Sequence, residues 1–334
     1  MPSFPSKPAY FDCHCDTLSV TAATGDSLRS GNRHVTLDAM KDYAHYVQFF
    51  AIFTNMGAGL SFPTEDDFLR AVRAREIRPT PALFAHYERL ILEFNRQMAQ
   101  LSDIALPCRS VADILAAREA GKIAAVLTVE GAEQLEETSV EDAYARGVRA
   151  CTLTWNYANL IGGSNLSGGG LTDYGRDFLR RCENVGMLVD VSHSSEALFY
   201  DVAKASRVPF IASHSNARTV GHHRRNLTDE QFLALARSGG VAGFNLYGAF
   251  IRDGGTCTIG DCADHIEHFL SLGGAKHIAM GGDLDGCEQL PEGISGSGDV
   301  WKLADELAAR HVPAGVIEDI FYNNILRVCK EVWK

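Results

Sequence analysis

The feature that most constrains the fold of this 334-residue chain is the alternation of short apolar runs with longer amphipathic stretches. Short apolar runs bounded by turn residues are typical of buried parallel strands. Eight such runs occur: Ala9–Cys13, Val47–Phe53, Ile123–Val129, Arg149–Thr154, Met187–Val191, Phe210–Ser213, Val241–Phe244 and Ile278–Gly281. The alternation predicts an α/β fold, a (β/α)8 TIM barrel formed by residues 1–334 as a single catalytic domain. An open doubly wound sheet is the alternative, because periodicity does not show whether a sheet closes.

Helical patterns lie between or after these runs. They cover Asp66–Arg75, Thr80–Leu101, Val140–Arg146, Asp173–Val185, Glu196–Ala205, Thr228–Ser238, Cys262–Leu272, Val300–Ala309 and Ala314–Trp333. The glycine-rich segment Ile161–Asp173 is either a mobile loop over the barrel mouth or a plain connector.

Charge and cysteine content narrow the class of partner and the compartment. The formal net charge is −11 and no long basic run occurs, which argues against nucleic acid or an anionic membrane surface as a partner. The nine cysteines are irregularly spaced, and no signal-peptide pattern or apolar run of about 20 residues is present. We therefore expect a cytoplasmic protein with reduced thiols, and the sequence leaves a homodimer open.

Polar side chains of the metal-ligand type follow the predicted strands at the point where each strand ends. They are His14 and Asp16 after the first, Glu130 after the third, His193 after the fifth, His214 after the sixth, and Asp283 with Asp285 after the eighth. Side chains alternate between faces along a strand, so His14 and Asp16 are expected to share a face, and likewise Asp283 and Asp285.

The barrel fold explains why these positions matter. In barrel enzymes the active site lies at the carboxyl ends of the strands, so the residues are expected to converge there. His193 and His214 on adjacent strands suit zinc, and Glu130 has two oxygens with which to bridge two ions. The number of candidate ligands exceeds the requirement of one tetrahedral ion, which predicts two Zn2+ per chain. For Asp285, a turn position beside Gly286 is the competing interpretation.

The chain resembles the membrane (renal) dipeptidase family of zinc peptidases over nearly its whole length. The matching stretches are D-C-H-C-D at 12–16, V-E-G at 129–131, T-L-T at 152–154, G-L-T-D-Y-G-R at 170–176, L-V-D-V-S-H at 188–193, S-H-S-N-A-R at 213–218, R-R-N at 224–226, G-G-D-L-D-G at 281–286 and N-N-I-L-R-V at 323–328. Because several motifs occur in the family's order, the resemblance is specific.

The resemblance implies a metallo-dependent hydrolase-like barrel with a binuclear zinc centre. It implies that His14 and Asp16 bind one zinc ion, that His193 and His214 bind the other, and that Glu130 bridges them. It further implies that Arg225 binds the carboxylate of the substrate's C-terminal residue, and that Asp283 contacts substrate and handles protons. Where family members of the mammalian type carry a substrate-contacting histidine after T-L-T, this chain has Trp155 followed by Asn156. Both are candidate substrate-binding residues, and the substrate preference of this chain is expected to differ accordingly.

The predicted function is therefore zinc-dependent hydrolysis of dipeptides, with a D-residue tolerated at the C-terminal position. One alternative is another binuclear metal amidohydrolase, a deacylase or a cyclic-amide hydrolase, although such enzymes usually begin with H-x-H rather than H-x-D. A second alternative is a metal-binding relative without activity. The absence of G-x-G-x-x-G after the first strand disfavours a dinucleotide enzyme.

Overall fold

Eight parallel strands form the sheet of this protein, in a computed structural model that describes residues 7–136 and 138–334. The strands are β1 (Tyr10–Cys15), β2 (Tyr46–Phe53), β3 (Ala105–Pro107), β4 (Ile123–Glu130), β5 (Val148–Thr152), β6 (Leu188–Asp190), β7 (Ala242–Phe244) and β8 (Ile278–Met280). Seven of the eight predicted runs are found as strands. The sequence did not predict β3, which has only three residues and pairs with the first residues of β4.

The sheet closes into a barrel. Its hydrogen-bonded order is β6-β5-β4-β2-β1-β8-β7, and all of these pairs are parallel. Isolated bridges from Asp190 to Ile211 and from Ala212 to Ala242 connect the two edges. The predicted strand Phe210–Ser213 is thus reduced to two bridges, but it occupies the eighth position of the barrel. The predicted (β/α)8 fold is confirmed, and the open-sheet alternative is wrong.

Helices surround the barrel: α1 (Thr17–Thr24), α2 (Leu37–Met40), α3 (Glu65–Arg73), α4 (Pro81–Gln100), α5 (Val111–Glu119), α6 (Val140–Ala145), α7 (Asp173–Val185), α8 (Glu196–Ala205), α9 (Asp229–Arg237), α10 (Gly248–Ile251), α11 (Ile259–Ser271), α12 (Trp301–Ala309), α13 (Ala314–Glu318) and α14 (Asn324–Val332). The predicted helix over Ala314–Trp333 is interrupted by a π-helical turn at Asp319–Asn323. Across the described ranges, no helix has the length and apolar character that a membrane crossing requires.

Side-chain hydroxyls cap most of the longer helices. Ser195, for example, accepts a hydrogen bond from the Leu198 backbone N–H at the start of α8, and Thr228 forms a capping box with Gln231 at the start of α9. Such caps satisfy backbone donors that lack a partner within the helix and fix where each helix begins. These caps set the starts of α8 and α9, the helices that follow β6 and the 211–212 segment.

Apolar side chains fill the lower part of the barrel. One buried cluster takes a residue from every position of the barrel: Phe11, Val47, Ala124, Ala150, Leu188, Ile211, Val241 and Ala279. Residues of α14, including Val328 and Cys329, belong to the same cluster. Because side chains alternate along each strand, Thr128 and Glu130 of β4, Thr152 of β5 and Asp190 of β6 share this face nearer the carboxyl ends, where they lie above an apolar floor.

Candidate active site at the carboxyl end of the barrel

Glu130, the last residue of β4, lies at the centre of a buried cluster of imidazoles and carboxylates. Its Oε1 is 3.0 Å from His193 Nε2 and 3.6 Å from His214 Nε2. Its Oε2 is 3.5 Å from His14 Nε2. His14 Nε2 also lies 3.7 Å from Asp16 Oδ2 and 3.9 Å from Asp283 Oδ1. The structure therefore brings together all six predicted residues at one rim, although they are separated by up to 269 positions in the chain.

A bulge in β1 sets the direction of His14. In the pairing of β1 with β2, Asp12 is opposite Gln48 but Cys15 is opposite Phe50, so β1 holds one extra residue. The extra residue places His14 on the face that points into the barrel. The expected convergence of His14 and Asp16 is found, but simple alternation along a strand does not explain it. β1 ends at Cys15 and Asp16 precedes α1, yet the two side chains still converge.

Strained backbone holds two other members of the cluster. His193 and Asp283 have positive φ angles of 66° and 55°, in the left-handed region that residues other than glycine rarely occupy. Asp285 has a φ of 64° and takes different partners. Its carboxylate accepts hydrogen bonds from Thr17 Oγ1 at 2.7 Å and from the His34 backbone N–H at 2.7 Å. The expectation that Asp283 and Asp285 share a face is wrong, because neither residue lies in a strand.

Burial and mutual charge determine the protonation of the cluster. Burial lowers the pKa of His193 and of His214 well below the usual value, with Arg225 and His14 acting in the same direction, so both imidazoles are neutral. Burial also opposes the charge on His14, but the Glu130 and Asp16 carboxylates outweigh it and raise the pKa of His14 well above its usual range. Neutral imidazole is the form that binds metal.

The carboxylates of the cluster are correspondingly hard to ionise together. The pKa of Glu130 is raised to about 7, by burial above all and also by the nearby Asp16 and Asp283 charges, while His14 acts in the opposite direction. Burial also raises the pKa of Asp283, with Asp16 acting in the same direction. Three acids packed around one imidazole thus form a site in which additional positive charge is favourable.

Several buried atoms of the cluster have no hydrogen-bond partner among the described residues. They include His14 Nε2, His214 Nε2 and Asp16 Oδ1. Two triads, His14–Glu130–His214 and His14–Asp16–Asp283, each offer ligand atoms within 4.8 Å of one another. Two ligands of a tetrahedral zinc ion lie roughly 3.3 Å apart, given bonds of about 2.0–2.1 Å. The observed separations and the unpartnered lone pairs therefore fit a divalent metal site.

Outer hydrogen bonds orient the two histidines that follow β6 and the 211–212 segment. His214 Nδ1 is 2.7 Å from Ser213 Oγ, and that hydroxyl donates to Asp190 Oδ2 at 2.5 Å. His193 Nδ1 is 3.0 Å from Asn156 Oδ1. Each contact leaves the Nε2 atom directed toward Glu130. Partners of this kind fix the orientation of metal-binding imidazoles.

Sequence reasoning missed three of the supporting residues. Asp190 and Asp12 lie at or before the strand ends, inside the motifs L-V-D-V-S-H and D-C-H-C-D, and each accepts two backbone N–H bonds. Asn245 follows β7 and donates to Asp283 Oδ2 at 2.9 Å. Their signal was the same as that of the six predicted residues, a polar side chain next to the carboxyl end of a buried strand.

The cluster opens into a mouth of about 440 Å³. Trp155 forms part of its wall, with ring centroids 4.9 Å from Phe53 and 6.1 Å from His193. Tyr247 and Phe250 line the mouth as well. Asn156 also lies there, with its amide oxygen turned to His193. A wall of aromatic rings beside a polar centre is typical of a small-molecule site.

Arg225 is buried next to the cluster and is poorly satisfied. Its guanidinium lies 5.4 Å from the centre of the Phe250 ring. Its two terminal nitrogens make only long contacts, of 3.5 Å to Ser215 Oγ and 3.4 Å to the His214 carbonyl oxygen, and its Nε has no partner in the described chain. Burial lowers the pKa of Arg225 to about 10, so it stays cationic at neutral pH.

A closed parallel barrel with imidazoles and carboxylates converging at its carboxyl rim defines a metal-dependent hydrolase. The model of one family, described as membrane dipeptidase (peptidase family M19), matches residues 6–334. The chain therefore belongs to the membrane dipeptidase family and is a hydrolase, a metal-dependent dipeptidase of that family.

Individual relatives agree with this membership. An uncharacterized dipeptidase of Schizosaccharomyces pombe is 33% identical over 312 residues, which are 89% of this chain and 72% of the relative. An uncharacterized protein in the pqqA 5' region of Klebsiella pneumoniae is 35% identical over 241 residues, which are 68% of this chain and 89% of the relative.

Solved structures share the fold. The metallo peptidase from Rhodobacter sphaeroides, liganded with a phosphinate mimic of the dipeptide L-Ala-D-Ala, has a TM-score of 0.85 and 24% identity over 98% of this chain and 100% of its own. The probable dipeptidase PvdM from Pseudomonas aeruginosa has a TM-score of 0.84 and 19% identity over 97% of this chain and 95% of its own. At these identities the likeness establishes the barrel architecture.

Proposed function

We propose that this protein hydrolyses the peptide bond of dipeptides with two zinc ions bound at the carboxyl rim of the barrel. His14 and Asp16 would hold one ion, His193 and His214 the other, and Glu130 would bridge them. The observation that carries the proposal is the position of Glu130, whose Oε2 faces His14 while its Oε1 faces His193 and His214. Bound zinc ions supply a hydroxide nucleophile at neutral pH and polarise the carbonyl to be attacked.

Asp283 is proposed to move the proton. Its Oδ1 faces the cluster, 3.9 Å from His14 Nε2, while Asn245 holds its other oxygen. A carboxyl group whose pKa is raised by burial takes up a proton more readily than an ordinary aspartate. Asp283 would take the proton from the attacking water and deliver it to the nitrogen of the leaving amine. Asp283→Asn, with metal content measured, should lose most of its turnover and keep its metal.

Arg225 is proposed to bind the free carboxylate of the substrate. A buried guanidinium with an unpartnered Nε and only long contacts among the described residues has donors to offer, and a carboxylate accepts two of them in parallel. A fixed cation beside the cluster would favour a substrate whose carboxylate lies one residue after the scissile bond, as in a dipeptide. Arg225→Ala should therefore lose activity on dipeptides far more than on amidated dipeptides. Equal losses would contradict the carboxylate clamp, and Arg176→Ala, at an exposed position of α7, is the matched control.

The stereochemistry of the substrate is a finer part of the proposal. The Rhodobacter sphaeroides structure holds a mimic of L-Ala-D-Ala. We propose that this chain likewise tolerates a D-residue at the C-terminal position, with Trp155 and Asn156 lining the part of the mouth that contacts substrate. A Trp155→His variant should change the ranking of substrates with large side chains, because it removes an indole packed against Phe53.

One experiment tests the function as a whole. A panel of L,L and L,D dipeptides is assayed with purified enzyme before and after removal of metal by a chelator, and again after zinc is restored. We expect activity to be lost and regained in parallel with about two zinc ions per chain. N-acyl amino acids and cyclic amides are included, and preferential turnover of these would favour the deacylase or cyclic-amide alternative. No turnover of any substrate by zinc-loaded protein would contradict the proposal.

A cytoplasmic location is also proposed. All nine cysteines are buried free thiols, a state that a reducing compartment maintains. Fractionation of cells that produce the protein should recover it with cytoplasmic markers, and recovery in an extracellular or periplasmic fraction would contradict this.

A further inference from the structure

A second polar pocket lies beside the metal-ligand cluster, between the first turns of α8 and α9. Its volume is about 230 Å³, which is several times the roughly 30 Å³ that one water molecule occupies in the liquid. We call it the arginine pocket and define it by the lining residues Ser194, Arg218, Arg224, Arg225, Asn226 and Gln231. The pocket has room for one short side chain.

The charges around the arginine pocket do not balance. Glu196 is the one carboxylate among the described lining residues, and it is already paired, because its Oε1 accepts from Arg218 Nη1 at 2.5 Å. Arg224 and Arg225 form no ion pair within the described part of the chain. The pocket therefore has an excess of two positive charges. Once Arg225 is paired with the substrate's main-chain carboxylate, the charge of Arg224 remains and favours a second anionic group.

Unsatisfied donors accompany this charge. Arg225 is only 7% exposed, and its Nε has no hydrogen-bond partner among the described residues. The Ser194 hydroxyl oxygen is also buried and unpartnered there. A buried donor without an acceptor is costly, so the pocket gains free energy when an acceptor enters it.

The arginine pocket adjoins the place proposed for the substrate's C-terminal residue. His193 lines both this pocket and the mouth, and Phe250, which lies under the Arg225 guanidinium, also lines the mouth. A residue whose main-chain carboxylate is held by Arg225 would thus have its side chain next to Arg224. We propose that the arginine pocket receives an anionic side chain, so that the preferred dipeptides carry aspartate or glutamate at the C-terminal position.

This inference rests on the proposed dipeptidase function, and the test separates the two. The substrates are Ala-Glu and Ala-Gln, each with an L- or D-residue at the second position, because glutamate and glutamine differ in charge but hardly in size. For the wild-type enzyme we expect kcat/KM to be about tenfold higher for the acid than for the amide in at least one stereochemical series, and the ratio to fall as salt is added.

Variants assign the effect to Arg224. Arg224→Gln should lower kcat/KM for Ala-Glu by about threefold to tenfold and leave Ala-Gln within twofold, since one exposed to half-buried ion pair contributes on this scale. Arg224→Lys keeps the charge and should restore most of the preference. Lys330→Gln removes the same charge from the exposed surface of α14, outside the pocket, and should leave the ratio unchanged.

The outcomes are distinct. Turnover of Ala-Gln with an acid-to-amide ratio of one or less overturns the arginine pocket and leaves the dipeptidase function standing. If no dipeptide is cleaved, the dipeptidase function fails, and calorimetric binding of Ala-Glu and Ala-Gln then gives the same ratio without turnover. An unchanged ratio in Arg224→Gln also overturns the proposal.

Discussion

The two halves of the barrel present their ligands in different ways. The first half consists of long strands, since β1, β2, β4 and β5 have six, eight, eight and five residues. The second half has three-residue strands at β6, β7 and β8 and only isolated bridges at Ile211 and Ala212. The first half supplies His14 and Glu130 from strand residues, whereas the second supplies His193, His214 and Asp283 from backbone that has left the strand.

The two halves of the barrel also differ in what directs the ligand side chains toward the cluster. In the first half, strand pairing and one bulge direct the side chains. In the second half, positive φ angles at His193 and Asp283 do so, together with outer hydrogen bonds that Asn156 and Asp190 accept and that Asn245 donates. The Glu130 carboxylate faces histidines from both halves. Replacing Glu130, which faces both halves, should therefore reduce activity most. Replacing a residue that orients a single ligand should reduce it less.

The largest effect is expected from Glu130→Gln, which removes the charge that joins the halves. Loss of the bridging carboxylate should lower kcat/KM by at least about 1000-fold, equivalent to about 4 kcal/mol, and should reduce the bound metal below two ions per chain. Steady-state assays and metal analysis measure both. Glu119→Gln, at an exposed position of α5, is the matched control. A variant with two ions and the wild-type rate would show that the halves do not depend on Glu130.

Gly281→Ala should be the most destabilising change in the second half. A Cβ at residue 281 would overlap the backbone carbonyl oxygen of Ser213, which cannot move without shifting the strand before His214. We expect a loss of about 3 kcal/mol in the free energy of unfolding. Gly121 precedes β4 in the first half and has a φ of +64°, with no described atom within 4 Å of the place that a Cβ would take. Gly121→Ala should cost about 1–2 kcal/mol, and urea titrations that rank the two in reverse would break the comparison.

Asn156→Ala should weaken metal binding in the second half while the first half is untouched. The His193 imidazole loses its Nδ1 partner, and losses of such partners cost about 10-fold to 100-fold in metal affinity. Competition with a chelator measures the affinity of each ion, and one ion should leave more readily than the other. Asn165→Ala removes only long contacts to Asn156 and to the His193 carbonyl and should have a smaller effect. Equal affinities for both ions in the Asn156→Ala variant would contradict a role of Asn156 that is confined to the second half.

Glu133 tests burial in the first half through an effect that is seen only in the pH dependence of stability. Burial raises the pKa of Glu133 to about 8, so the folded protein holds a proton that the unfolded chain releases near pH 4.5. The folded state binds more protons in this window, so this residue makes stability fall as pH rises from about 5 to 8, by at most about 1.4 kcal/mol per pH unit. Glu133→Gln should flatten this slope in urea unfolding, whereas Glu119→Gln should keep it. An identical slope in both variants would contradict a buried neutral acid.

Much of the barrel was predictable because strand and helix periods are local properties. The runs containing Val47–Phe53 and Ile123–Val129 appear as strands within one residue at either end. β3 was missed because three residues give no periodicity, and Phe210–Ser213 was predicted as a strand although the chain makes only bridges there. The residue types of the site were visible for a similar reason, since a polar residue after an apolar run is a local pattern.

The sequence by itself determined the fold class, the order of its elements and the six residues that meet at the rim, because each of these follows from short-range patterns and from the rule that parallel strands end on one side. Tertiary structure alone decided that β1 is bulged, that Asp283 faces the cluster while Asp285 turns to Thr17, and that Arg224 and Arg225 share a pocket whose carboxylate, Glu196, is already paired with Arg218. These features depend on contacts between segments far apart in the chain, and burial, which sets their charges and energies, exists only after the barrel has closed.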